Sequence, residues 1–234
     1  MIRIRPSDER GFADHGWLQA RHTFSFAEYY DPAFTQFGAL RVLNQDVVRA
    51  SRGFPTHGHR DMEIVTYVLD GVLEHRDSMG NGAQVRPGEV QLMSAGSGVT
   101  HSEYNASADE PLHLLQMWVF PRRQGTEPRY EQRAFSEEER RGALRLVVSP
   151  DGADGSLTID QDARLYAGLL AAGEEAQHAL DAGRSAWLHV ARGRVELNGQ
   201  ELGAGDGAAI DAEERLALVG VEDAEVVMWE LAAA

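Results

Sequence analysis

Short runs of strand-forming residues, each closed by a glycine turn, extend along the whole chain and constrain its fold most strongly. Examples are LRVLNQDVV at 40–48, EIVTYVLDG at 63–71 and GEVQLMSAG at 88–96. β-branched and aromatic residues favour strands, and Asp70 followed by Gly71 is a hairpin-turn signal. The chain has 24 glycines but only 8 prolines, which fits many tight turns. These features predict an all-β fold of antiparallel strands.

One arrangement of strands and glycines occurs twice in the sequence. The first copy reads YVLDGVLEHRD followed by RPGEVQLM, and the second reads LHVARGRVELNG followed by GAGDGAAI. An internal repeat of this kind indicates two related β-barrels. We therefore predict an N-terminal domain at 1–120, a link at 121–142 and a C-terminal domain at 143–234. In the link, Ser136 and Glu139 form a capping-box pattern that predicts a short surface helix.

The charge balance excludes several classes of partner. The chain has 22 Lys and Arg against 37 Asp and Glu, a net charge of −15. Such a field repels phosphate backbones and anionic lipids, so we expect no direct nucleic-acid contact and no membrane association. The segment MIRIRPSDER lacks the apolar core of a secretion signal, and no stretch approaches the roughly 18 apolar residues that span a bilayer. The expected location is the cytoplasm.

Two short histidine motifs carry the chemistry that the sequence suggests. His57 and His59 flank one glycine, while His101 and Glu103 flank one serine. Residues two apart in an extended strand face the same way, so each pair can turn toward one ion. The chain has no cysteine, which leaves histidines and carboxylates to hold any metal. This ligand set suits one divalent ion, and Fe(II), Mn(II), Zn(II), Ni(II) and Cu(II) all stay open.

The other histidines do not follow this pattern. We interpret His75 and His113 as structural histidines with hydrogen-bond partners inside the fold. His178 and His189 have neither an H-x-H partner nor a glutamate at ligand spacing, so the C-terminal barrel is expected to hold no metal. A further set of large side chains could line a cleft, but such residues more often pack a core. The set assigned to the core is Met93, Phe24, Phe26, Tyr29 and Trp118.

Both histidine motifs lie in segments that resemble the conserved motifs of the cupin superfamily. GFPTHGHRDMEIVTYVLDG, at 53–71, resembles the first cupin motif, and GEVQLMSAGSGVTHSEYN, at 88–105, resembles the second. Ser94 stands where cupins usually have proline, and the approach to His101 is longer. Those departures are typical of pirins, whose A-G-x-G-x-x-H-x-E signature matches 95–103. The chain is similar to the pirin-like bicupin family, strongly to about residue 150 and weakly beyond it.

The resemblance implies a bicupin fold, with two antiparallel jelly-roll barrels and short surface helices, and one metal ion in the N-terminal barrel. The implied ligands are His57, His59, His101 and Glu103, and the expected metal is Fe(II). Glu63 follows the H-x-H motif and is a ligand in many cupins, but support of the ligands or proton transfer is its favoured role here. Pirins have an arginine between the two signature glycines, whereas this chain has Ser97. No function that rests on that arginine is therefore carried over.

The resemblance also implies an activity. Bacterial pirin-like proteins resemble quercetin 2,3-dioxygenases, so the expected partners are a flavonol-like aromatic substrate and dioxygen. Glu103 or Glu63 would then act as the catalytic carboxylate that takes the proton of the substrate hydroxyl. The alternative is a non-catalytic, iron-dependent redox sensor or regulator that binds another protein. A sugar-phosphate isomerase is less favoured, because no cluster of Arg and Lys adjoins the histidine motifs.

Overall fold

Strands dominate the structure, a computed structural model that describes residues 1–232. The strands of the first half are β1 (Ile2–Arg5), β2 (Gly11–Asp14), β3 (Leu18–His22), β4 (Leu40–Val48), β5 (Gly53–Asp70), β6 (Leu73–Asp77), β7 (Gly82–Val85), β8 (Glu89–Asn105), β9 (Leu112–Val119) and β10 (Arg129–Ala134). Those of the second half are β11 (Arg145–Ser149), β12 (Leu157–Thr158), β13 (Ala163–Leu170), β14 (Glu175–Ala179), β15 (Arg184–Arg192), β16 (Arg194–Leu197), β17 (Gln200–Gly203), β18 (Gly207–Ile210), β19 (Arg215–Gly220) and β20 (Ala224–Ala232). The prediction of an all-β fold is confirmed.

Helix is confined to short segments. The helix α1 spans Glu137–Arg140, and 3-10 turns occupy Ser7–Glu9 and Ala153–Gly155. The predicted capping box is present, because the Ser136 hydroxyl accepts from the Glu139 backbone N–H while the Glu139 carboxylate accepts from the Ser136 backbone N–H. Across residues 1–232, no helix has the length and apolar character needed to cross a membrane.

The chain divides into two compact units whose boundaries differ from the predicted ones. The N-terminal unit comprises Gly11–Ala134 and Ile159–Gln161, and the C-terminal unit comprises Met1–Arg10, Phe135–Thr158 and the chain from Asp162 onward. Residues 1–10 leave the predicted first domain because β1 pairs antiparallel with β18. Part of the predicted link at 121–142 is β10, which pairs antiparallel with β8. Backbone pairing between distant segments, rather than position in the chain, therefore sets both boundaries.

One sheet builds the N-terminal unit, in the order β2-β3-β4-β9-β5-β8-β6-β7 with β10 also paired to β8. β5 has 18 residues and β8 has 17, so both extend beyond the apolar runs that predicted them and include the histidine motifs. Buried apolar side chains, among them Leu18, Val68 and Leu114, fill the core of this unit. On β9, Gln116 and Trp118 are only half-buried. That face of β9 takes part in the candidate site.

The C-terminal unit contains a seven-stranded sheet, β1-β18-β15-β20-β13-β11-β12, and a four-stranded sheet, β14-β19-β16-β17. The sequence repeat has a structural counterpart in two turn glycines. Gly71 follows β5 with a φ of 80°, and Gly193 follows β15 with a φ of 71°. A Cβ on Gly71 would lie 2.7 Å from the Pro111 carbonyl oxygen, and one on Gly193 would lie 2.0 Å from that of Asp223. Both turns therefore require glycine for the same steric reasons.

Candidate metal centre

Three histidines converge where β5 and β8 pair. His57 lies opposite His101 in the antiparallel register, and His59 lies two residues further along β5. The Nε2 atoms of His57 and His101 are 3.1 Å apart, and the ring centroids of the three pairs lie 4.5–4.9 Å apart. One ligand atom from each histidine lies within 4.8 Å of the other two. The same-face rule for H-x-H therefore predicted this local geometry correctly.

The tautomer of His57 suits metal binding. Its Nδ1 lies 2.8 Å from the carbonyl oxygen of Pro55, which can only accept a hydrogen bond. Nδ1 therefore carries the proton, and the lone pair of Nε2 faces His101. Backbone carbonyls commonly fix metal-binding histidines in this way. Three nitrogen donors held this closely fit a divalent transition metal.

Glu103 and His75 form a second group that shares His101 with the first. Nδ1 of His75 lies 3.8 Å from Oε1 of Glu103 and 3.5 Å from Nδ1 of His101. His75, His101 and Glu103 are all buried, and their ligand atoms also lie within 4.8 Å of one another. On its other side, Nε2 of His75 lies 3.2 Å from the Asp77 carboxylate. Glu103 therefore lies in the second group, which is joined to His57 and His59 by the shared residue His101.

The environment of the centre shifts the pKa values of four side chains, those of His59, His101, Glu103 and His75. Burial, together with the neighbouring imidazoles, lowers the pKa of His59 to about 4, and burial also lowers that of His101 to about 4. Burial acts to raise the pKa of Glu103, but the neighbouring His75, the charge of His101 and the hydrogen bond from Gln91 outweigh it and lower the pKa to about 2. Burial opposes protonation of His75, yet Glu103 and Asp77 raise its pKa. At neutral pH the centre therefore offers unprotonated His59 and His101 and an ionised Glu103.

A cavity of about 530 Å³ borders His59, one of the three histidines. Its lining includes His59 and Arg60 on β5 and the glycine-rich part of β8 around Gly98. The volume is in the range of pockets that hold small organic molecules. A ligand in this cavity would lie directly against His59.

Both histidine motifs lie in a segment that matches a known protein family. A family model described as Pirin matches residues 3–119, and one described as Quercetinase C-terminal cupin domain matches residues 146–231. A protein of Escherichia coli K12 named quercetin 2,3-dioxygenase is 50% identical over 231 residues, which cover 99% of each chain. The chain belongs to the pirin family. The predicted bicupin fold is confirmed by these matches.

Other pirin relatives agree with this assignment. A pirin-like protein of Caulobacter vibrioides is 45% identical over 234 residues, covering 99% of this chain and all of its own. The crystal structure of YhhW from Escherichia coli matches with a TM-score of 0.96 at 50% identity, covering 100% of this chain and 99% of that one. A second YhhW crystal structure, a complex with nickel(II), matches with a TM-score of 0.95 at 50% identity and covers both chains fully.

Glu63 belongs to neither group of potential ligands, and its carboxylate makes other contacts. Its carboxylate accepts a hydrogen bond from the Ser94 hydroxyl at 2.8 Å and lies 3.9 Å from the Arg129 guanidinium, and burial raises its pKa. The expectation assumed an unbroken strand, but β5 shifts register between His59 and Asp61, where Asp61 adopts a φ of 65°. The extra residue of this irregularity lies on β8, where three steps from Val99 to Gly96 face two steps from His59 to Asp61 on β5. On β5 itself, the left-handed backbone of Asp61 interrupts the alternation of faces before Glu63. Glu63 in this pirin is therefore part of a separate polar contact.

Sequence reasoning missed the placement of His75. We interpreted it as a structural histidine, whereas it lies beside His101 and Glu103. The remaining histidines lie elsewhere: His113 is 3.0 Å from the Gln45 amide nitrogen, and His178 is 3.0 Å from the Glu230 carboxylate. The only sequence signal for His75 was its position in a strand beside a glycine-rich turn, and that does not reveal which strand pairs with it.

The large side chains assigned to the core, one methionine and four aromatic residues, divide into a buried set and a half-buried set in this pirin. Met93 and Phe24 are buried, as predicted. Phe26, Tyr29 and Trp118 are only half-buried. The Trp118 ring meets that of His59 edge to face at 5.0 Å, and Phe26 meets Trp118 at 5.4 Å. Trp118 therefore belongs to the wall of the candidate centre.

We expect the metal-free protein to lose stability as the pH falls from 6.5 toward 4. Unfolded histidines titrate near 6.5, whereas His59 and His101 in the folded chain titrate near 4, so the unfolded chain binds more protons throughout this interval. The raised pKa of His75 acts in the opposite direction but involves one group against two. Urea unfolding at a series of pH values measures the slope. The His59→Asn variant should show a shallower slope, and an equal slope in both proteins would contradict the assignment.

Proposed function

We propose that this pirin is a metal-dependent dioxygenase of the quercetin 2,3-dioxygenase type. The observation that carries the proposal is the convergence of His57, His59 and His101, with the lone pair of His57 directed at His101. Relatives at 50% identity support it: one is named quercetin 2,3-dioxygenase, and a bacterial pirin structure contains nickel(II). The proposed substrate is a flavonol-like aromatic compound, with dioxygen as the second reactant.

The proposed ligands of one divalent ion are the three histidines and Glu103. Nitrogen and carboxylate donors suit Fe(II), which is the metal we propose, and they also accept nickel(II). When bound, such an ion supplies Lewis acidity, which lowers the cost of ionising a substrate hydroxyl. All four proposed ligand side chains are half-buried or buried, so part of the centre is shielded from water.

The chain's own residues would bind the substrate and accept its proton. The cavity beside His59 is large enough for a planar aromatic molecule, and His59 itself is held by the half-buried Trp118 ring. Glu103 is the proposed proton acceptor, because it is ionised and buried within the second group. The hydroxyl proton would pass to a Glu103 carboxylate oxygen. Glu63 is no longer proposed for this step, since it contacts Ser94 and Arg129 instead.

The test is a paired assay of substrate and oxygen on metal-loaded protein. The protein is first purified without added metal for elemental analysis and then loaded separately with Fe(II) and with Ni(II). We expect flavonol and dioxygen to disappear in equal amounts, and the matched flavone that lacks the 3-hydroxyl to be left unchanged. Fully loaded protein that consumes neither reactant would contradict the enzyme proposal and would favour the metal-dependent regulator instead.

A further inference from the structure

Trp118 is placed to act on two of the proposed ligands at once. It lies on β9, between β4 and β5 in the sheet, and its side chain is half-buried. Its ring meets the His59 imidazole edge to face, with 5.0 Å between centroids and 81° between planes. This contact limits the rotation of the His59 ring.

A hydrogen-bonded chain connects the same indole to Glu103. Nε1 of Trp118 donates to Oε1 of Gln116 at 3.3 Å, and Nε2 of Gln116 donates to Oε2 of Glu103 at 2.8 Å. An indole N–H can only donate, so the Gln116 atom that faces it must be the amide oxygen. The amide nitrogen of Gln116 is then directed at Glu103. Trp118 at one end and the Glu103 carboxylate at the other therefore hold the Gln116 amide in a single orientation.

The second oxygen of Glu103 is held in a similar way. Nε2 of Gln91 donates to Oε1 of Glu103 at 2.8 Å and also lies 3.3 Å from the Thr66 hydroxyl. Each carboxylate oxygen of Glu103 thus accepts one amide N–H. Hydrogen bonds to a charged acceptor are stronger than neutral ones, and two of them on opposite oxygens resist rotation of the carboxylate.

We propose that Trp118 is a positioning residue of the metal centre, which orients His59 through its ring and Glu103 through Gln116. This inference rests on the metal ligands assigned under the proposed function. Groups that orient metal ligands typically change metal affinity by about 10–100-fold when they are removed. Trp118 would contribute in this way without touching the ion.

Trp118→Phe separates the two contacts, because phenylalanine keeps an aromatic ring beside His59 but has no N–H for Gln116. We expect the dissociation constant for nickel(II), measured by calorimetry, to rise about 10-fold. The thermal unfolding temperature of the metal-free variant should stay close to that of the wild type. The matched control is Trp17→Phe, at a half-buried tryptophan whose ring meets that of Phe54 edge to face and meets no proposed ligand, and it should bind nickel(II) like the wild type.

A double-mutant cycle with Glu103→Ala decides whether the effect passes through Glu103. If it does, Trp118→Phe should cause no further loss of nickel(II) affinity in the Glu103→Ala background. An equal loss in both backgrounds, or unchanged affinity in the single variant, would overturn the inference while leaving the metal site intact. A wild-type protein that binds no nickel(II) would overturn the proposed function, and this inference with it.

Discussion

His101→Ala should abolish metal binding and, with it, the proposed turnover. His101 is the one residue that belongs to both groups of potential ligands, with Nε2 directed at His57 and Nδ1 at His75. Its loss would leave His57 and His59 on one strand with no nitrogen donor from β8. We therefore expect a loss of affinity larger than the roughly 10–100-fold that removal of an outer partner causes. Elemental analysis after dialysis, together with the oxygen-consumption assay, measures both effects.

A matched control for this variant is His15→Ala, because His15 is an exposed histidine outside both groups. It should retain the wild-type metal content. His101→Ala should also keep a cooperative unfolding transition, since deleting an imidazole near neutral pH removes no buried charge. A His101→Ala protein that is folded and still binds one equivalent of metal would disprove the proposed ligand set.

Glu230→Ala should cause a large loss of stability in the C-terminal unit. Glu230 lies on β20 with 2% of its surface exposed. One carboxylate oxygen contacts Arg184 and also Arg164 at 2.7 Å, and the other contacts His178 at 3.0 Å. Removing the carboxylate leaves Arg184 and Arg164 with only the exposed carboxylates of Asp162 and Asp181 as partners. Breaking a buried pair in this way typically costs about 3–5 kcal/mol.

Urea unfolding compares this variant with an exposed ion pair of similar length. Arg194 and Glu201 are 2.8 Å apart on the hairpin formed by β16 and β17, and both side chains are about half exposed. Exposed pairs contribute about 0–1 kcal/mol, so Glu201→Ala should change the free energy of unfolding little. Equal losses in the two variants would show that burial does not strengthen the contacts of Glu230.

The alternation of side chains along a strand was sufficient to predict that His57 and His59 share a face. It did not predict the direction of the side chains beyond Asp61. His57 and His59 lie on one face because side chains alternate along a strand, and this rule holds as long as the strand is regular. It fails at Asp61, whose left-handed backbone forms part of a bulge. Aspartate is one of the few residues other than glycine that tolerate this conformation, so the sequence permits the bulge without announcing it. Glu63 was misplaced for that reason.

Non-local pairing accounts for the other differences. His75 lies beside Glu103 because β6 pairs with β8 in a register that sets these two residues opposite each other. Nothing in either segment specifies that register. The apolar runs and glycine turns nevertheless predicted β4, β5 and β8 of the N-terminal sheet, since those signals are local. The membership of β1 was missed because its partner, β18, lies near the other end of the sequence.

The pairing of β1 with β18 has a consequence for how the protein is made. The ribosome completes Ile2–Arg5 long before it reaches Gly207–Ile210, which supplies the partner backbone. At about 5–20 residues per second, the early strand would wait on the order of 10–40 s for that partner. All the strands of the N-terminal unit emerge during this interval. An unpaired β-strand is prone to join other chains, so β1 is the segment that we expect chaperones to shield during synthesis.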